Sequence, residues 1–250
     1  MRLPDRKKYV LTLAALLGAV FVWSGVAPRD RGVWLLENAL TVVGVGILVA
    51  TAKKLPLSRV SYTLIFLFTV LHVVGSHYRY ADVPTPTWLD LVLGGGEQGE
   101  RNHYDRLVHF CYGLLLAYPM REVVLRIGDF KGFWGYFLPL DVTMSTSMLY
   151  ELIEWAAAVV FADEAAMEFL GTQGDEWDAH KDMLLASVGA LIAMLVTAAI
   201  NRRLQRDFNR EWNESLRVKE PRPLGEEEAA RLIRQQERDA AAAEHPAAPT

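Results

Sequence analysis

The chain has 250 residues, 52% of them hydrophobic and 22% charged, with a formal net charge of −4. That balance is too acidic for a nucleic-acid-binding protein, and a single cysteine, Cys111, excludes an internal disulfide framework and a cysteine-cluster metal site. The averages hide a division: residues 201–250 hold ten Lys/Arg and ten Asp/Glu, whereas residues 1–200 gather their charges into short clusters between long apolar runs, the pattern of a polytopic membrane protein.

Six apolar runs stand out, at roughly 9–27, 33–50, 60–76, 104–120, 133–161 and 182–200. A helix needs about 20 residues to cross about 30 Å of hydrocarbon, and unpaired backbone groups are not tolerated in lipid. The expected fold is therefore all-α, a bundle of six transmembrane helices, without the alternation of a membrane barrel. The first run follows Arg6, Lys7 and Lys8 and imitates a signal peptide. Its apolar stretch is longer than the usual 7–15 residues and Pro28 follows the apparent cleavage site, so it is read as an uncleaved span. Pro139, near the start of the fifth run, predicts an interfacial lead-in or a bend. In the loop 78–103, Trp88–Leu93 is a short apolar segment suited to lying on the bilayer, and Gly94–Gly96 gives the chain slack.

Orientation follows the positive charges near the helix ends. With the N-terminus inside, the inner segments carry thirteen Lys/Arg, from Arg2 to Arg206, against five in the outer loops, or six with Arg106. Six spans with both termini cytoplasmic are predicted. Residues 1–200 form the membrane domain. Residues 201–250 form a charged cytoplasmic tail, helical from Glu226 to Ala243 and disordered in its last residues.

This orientation places most embedded ionisable groups near the outer face. The second span carries Glu37. The third ends with His72 and His77. The fourth opens with His103, Asp105, Arg106 and His109. The fifth carries Glu151 and Glu154, and the sixth opens with Asp175, Asp178, His180, Lys181 and Asp182. At about 1.5 Å per residue they lie from the surface to roughly 15 Å deep; Asp141, near the inner boundary, is the exception. A charge at the bilayer centre costs about 2.5–3.5 kcal/mol on insertion scales, so groups on five helices at similar depth are expected to share one polar cavity.

Helical spacing sharpens that expectation. Asp105 and His109 are four apart and share a face; Glu151 and Glu154 are three apart, with Thr143, Ser147 and Tyr150 extending a polar stripe inward. Asp175, Asp178 and Asp182 form a third stripe, continued by Ala186, Gly189 and Ala193, whose small side chains allow close helix approach. Structural alternatives stand beside each of these readings. Asp175 can cap the sixth helix, with Asp178 at its dipole. Asp105 can pair with Arg106, or serve only to orient His109. His72 and His77 can be packing residues. Glu151 and Glu154 are the hardest to explain structurally, because two carboxylates within one helix repel.

Three blocks carry a resemblance: His103-Tyr104-Asp105-Arg106-Leu107-Val108-His109-Phe110, Tyr150-Glu151-Leu152-Ile153-Glu154-Trp155, and Phe169 to Asp178 followed by Lys181-Asp182-Met183. Together they resemble the YjdF-type family of bacterial inner-membrane proteins over about residues 1–200. The resemblance implies a multi-pass protein of the cell inner membrane and supplies no reaction. A weaker similarity reaches the VanZ-like membrane proteins, through an Asp-basic-x-x-His-Phe start, a Glu-containing helix, and an Asp before a small-residue helix.

Three functions remain open. The first is an outward-facing site that binds a divalent cation and acts on a lipid-linked or cell-envelope substrate. In that reading Asp105, His109 and Asp178 are the ligands, Glu151, Glu154 and Asp182 the catalytic groups, and His103, Arg106, Asp175, His180, Lys181 and Glu37 line the site. The second is a proton- or ion-coupled transporter. The third is a non-catalytic receptor or assembly factor. The lipid bilayer is a partner in all three, and nucleic acid in none.

Overall fold

Each apolar run of the sequence forms a helix in the computed structural model, which describes residues 5–85, 102–161, 170, 172–219, 223 and 225–244. In chain order the helices are α1 (Arg6–Val26), α2 (Arg31–Thr51), α3 (Arg59–Tyr78), α4 (Tyr104–Gly128), α5 (Trp134–Phe161), α6 (Asp178–Leu204), α7 (Phe208–Ser215) and α8 (Glu226–Glu244). No strand occurs among the described residues. The apolar segment 88–93, the glycines 94–96 and the terminal residues expected to be disordered lie outside them.

The boundaries have local causes. Asp5, Asp30 and Ser58 cap α1, α2 and α3, their side chains accepting from the backbone N–H groups of Lys7, Val33 and Ser61. α3 stops at Arg79, which takes a left-handed conformation. α1, α2, α3 and α6 are long and apolar enough to cross a membrane by length and composition. α4 and α5, at 25 and 28 residues, have the length but carry more polar side chains. Their buried faces explain the difference: His109 and Arg106 on α4, and Thr143, Ser147, Glu151 and Glu154 on α5, point inward. Pro139 sits fully buried within α5, its carbonyl accepting from the Thr143 hydroxyl at 2.7 Å.

α4 and α6 form the central pair, α5 packs on both, and α3 joins α4 to α1 and α2. Glycine makes the central pair possible. A Cβ added to Gly113 would collide with the Ala186 carbonyl, and one added to Gly189 with the Phe110 carbonyl, so the two backbones touch where no side chain intervenes. Ala186 and Ala190 on the same face of α6 have no exposed surface. The outward faces are apolar instead: Leu35, Ile47 and Val49 on α2, and Leu184 and Leu195 on α6, are more than half exposed, the surface a lipid would cover.

At the end of the bundle away from Asp105 and Asp182, the chain folds back. Phe208 and Trp212 of α7 pack against Tyr136, and Trp212 meets Phe133 edge-on. Gly132, at φ 57°, lets the α4–α5 turn lie against the backbone of Glu211. At the same end Glu122 joins α3 to α4: its carboxylate accepts from the Ser58 backbone N–H at 2.8 Å, the Ser61 hydroxyl at 2.6 Å and Arg126 at 3.2 Å. Glu122 lies past the apolar run 104–120. Partial burial alone would raise its carboxyl, but these donors outweigh that and hold it below the ordinary carboxylate value.

Candidate functional site

The polar residues of α2, α3, α4, α5 and α6 converge at one end of the bundle. On α4, one turn separates Asp105 from His109, and their facing atoms Oδ1 and Nε2 lie 3.6 Å apart. On α5, Glu151 brings Oε1 to 3.4 Å from the same His109 nitrogen. On α6, Asp182 is 2% exposed, and one donor atom each from Asp105, His109 and Asp182 lies within 4.8 Å of the others. Asp182 Oδ1 and Glu151 Oε1 are buried with no hydrogen-bond partner among the described residues.

These separations are informative. They exceed the 2.7–3.2 Å of an N–H···O hydrogen bond. They match instead the edge of a coordination tetrahedron, about 3.4 Å for metal–ligand bonds of about 2.1 Å. Buried carboxylate oxygens without donors are costly and rare, and here one of the two, Glu151 Oε1, lies 3.4 Å from the His109 imidazole. The donor set, one nitrogen and several carboxylate oxygens, fits a first-row divalent ion such as Zn or Mn.

A second tier surrounds this group. Glu154, 8% exposed, is in hydrogen-bond contact with Tyr150 and Glu151. The Tyr150 hydroxyl donates to Glu37 of α2 at 3.1 Å. His72 of α3 meets the Glu37 carbonyl through Nε2 at 3.0 Å and the Tyr80 hydroxyl through Nδ1 at 2.6 Å. A continuous polar chain thus runs from α2 through α5 to His109.

The mouth is governed by Arg106. Its Nη2 pairs with Asp175 Oδ2 at 2.5 Å and lies 3.9 Å from Asp178 Oδ1, while Nη1 donates to His103 Nδ1 at 3.3 Å. Lys181 reaches the same Asp175 oxygen at 2.6 Å. Three expectations change here. Arg106 pairs across 69 residues with Asp175 and not with the adjacent Asp105, because neighbours on a helix point apart. Asp175 is not itself the N-cap of α6, which is Trp177, but its Oδ1 accepts from the Trp177 backbone N–H at 3.1 Å. Asp178 turns to Arg106, and Asp182, one turn deeper, takes the place beside His109.

His180 is exposed, its ring packed edge-on against Trp177, so it stays outside the group. His77 bonds the Ser24 carbonyl and stacks on Trp23, which makes it a packing residue. Tyr150, read in the sequence only as part of a polar face, is the bridge between Glu37 and Glu154. Its position four residues before Glu154 was the available signal.

Residues 9–203 match the family described as "Predicted membrane protein (DUF2238)". The chain belongs to this family. It is 38% identical over 208 residues to the "Inner membrane protein YjdF" of Escherichia coli (strain K12), covering 81% of this chain and 95% of that protein. No solved structure matches. The family match and the apolar helices make this an integral inner-membrane protein. The DUF2238 match spans all six long helices and ends at Arg203, before α7.

Proposed function

We propose that this DUF2238 protein spans the inner membrane six times with both termini cytoplasmic, and that its buried polar group is a divalent-cation site opening toward the extracytoplasmic face. Asp105, His109 and Asp182 are the ligands, and Glu151 stands beside them as a fourth ligand or as the base for a metal-bound water. The observation that carries this is His109 Nε2 held 3.4–3.6 Å from two carboxylate oxygens, without hydrogen-bond geometry to either.

A cation held there would supply Lewis-acid chemistry, lowering the pKa of a bound water and polarising a phosphoryl or carbonyl oxygen. Glu151 or Glu154 would then accept the proton, and Arg106 would hold an anionic group at the mouth. The supported reading is a hydrolase or transferase acting on a lipid-linked or envelope precursor. Residues 1–200 form the membrane domain, and 201–250 form a cytoplasmic tail whose first helix, α7, rests on the bundle.

Two experiments test this. Chelation should lower the melting temperature of the purified protein, and Zn or Mn should restore it; an unchanged melting temperature contradicts the cation reading. A reporter fused after residue 206 should be active only when it depends on the cytoplasm; activity outside overturns the orientation.

A further inference from the structure

At the opposite end of the bundle lies a second site that the polar group does not use. Arg121 of α4 lies with its guanidinium carbon 4.6 Å from the centre of the Tyr136 ring. Its Nε is buried without a hydrogen-bond partner. Arg121 lines a cleft of about 220 Å³ together with Tyr136, Lys131, Gln205, Phe208 and Glu211. Glu211, half-buried on α7, lines the same cleft, yet among the described residues neither it nor Arg121 forms an ion pair. The other two charges there, Lys131 and Asp129, face each other at 3.7 Å and are largely exposed. Two opposite charges thus share a cleft without meeting.

Phe208 also lines a neighbouring groove of about 440 Å³, with Ala198, Ala199, Trp212 and Arg202. That groove is walled mainly by alanine and aromatic side chains. A polar cleft and an apolar groove therefore share the Phe208 side chain, at the helix ends where lipid headgroups meet water.

We infer that this paired cleft binds one zwitterionic phospholipid, with the phosphate on Arg121, the ammonium toward Glu211, and an acyl chain in the groove beside Ala198 and Trp212. An arginine stacked on an aromatic ring is suited to phosphate. The carboxylate across the cleft favours a headgroup that carries its own cation over a purely anionic one. The inference is independent of the cation site and of which side of the membrane this end faces.

Native mass spectrometry of the full chain, released from vesicles of equimolar phosphatidylethanolamine and phosphatidylglycerol, tests it. The wild type should retain one phosphatidylethanolamine. Arg121→Gln should bind it at least tenfold more weakly, and Glu211→Gln should erase the preference over phosphatidylglycerol. Ala198→Phe fills the groove without touching Arg121 and should also release the lipid, so the proposal stays testable if Arg121→Gln does not fold. Inorganic phosphate and glycerophosphoethanolamine, the headgroup without its chains, should compete poorly. Equal lipid retention by folded Arg121→Gln or Ala198→Phe overturns the proposal. So does competition by either soluble phosphate at lipid-like strength, which would mark a site for a free phosphate compound.

Discussion

The two ends of α4, α5 and α6 solve the same problem in opposite ways. At the end near His109, ionisable groups lie inside the bundle, where Glu151, Glu154, Asp178 and Asp182 are all at most 8% exposed. At the other end Asp129, Lys131 and Glu211 sit at the rim, and the interior holds Ala117, Tyr136, Ala190 and Met194. Stability alone explains the second arrangement, because charges near helix ends reach the headgroup level. It does not explain the first, because buried charge costs more than an apolar core would. Buried ionisable groups gathered at one end of the bundle are the basis of the proposed site there.

Four changes sharpen or break this contrast. The largest effect belongs to the contact between the two ends. Gly113→Val drives a side chain into the Ala186 carbonyl and should cost about 3 kcal/mol or more, read as loss of folded protein from the membrane. Arg106→Ala comes next: it removes the cation that Asp175 and Asp178 share, leaving Lys181 on Asp175, and should cost about 3 kcal/mol in a thermal or denaturant melt. If it costs nothing, the mouth is far wetter than its burial implies.

Tyr150→Phe removes the hydroxyl between Glu37 and Glu154 and should cost about 1–2 kcal/mol, while leaving cation content unchanged because no ligand is touched. Glu122→Gln, at the opposite end, should cost about 1 kcal/mol at neutral pH. Glu122 has a depressed folded-state value, so its contribution is fully present above its ordinary value near 4.5 and is lost as pH falls through the depressed one. Melts of wild type and Glu122→Gln should therefore converge as pH falls below the ordinary carboxyl value of 4.5 toward the depressed one, and a gap of constant size would refute the link.

Much of the fold was legible from hydropathy. The six apolar runs all became helices, five of them within about four residues of their expected limits, because twenty apolar residues in a row have few other uses; α4 alone runs well past its apolar run, to Gly128. The faces were legible too: Thr143, Ser147, Glu151 and Glu154 are buried as one stripe, as a 3.6-residue period requires. The choice between Asp178 and Asp182 was not. Both lie on one stripe, and which of them meets His109 depends on how far α6 slides along α4. That register is set by Gly113 and Gly189 meeting carbonyls of the facing helix; the small-residue face of α6 shows in its spacing, but its meeting point at Gly113 on α4 does not. Arg106 and Asp175 could not be matched for the same reason. Glu122 drew no attention, because a lone glutamate near a helix end looks like any solvated charge.

If His109, Asp105 and Asp182 are drawn together to hold a cation, elemental analysis of the intact protein detects it. Protein purified without chelators should carry about one divalent ion per chain, and the His109→Ala and Asp182→Asn variants should each lose it while remaining folded in the membrane. Metal-free wild-type protein that takes up no Zn or Mn on titration, with an unchanged melting temperature, would contradict the account.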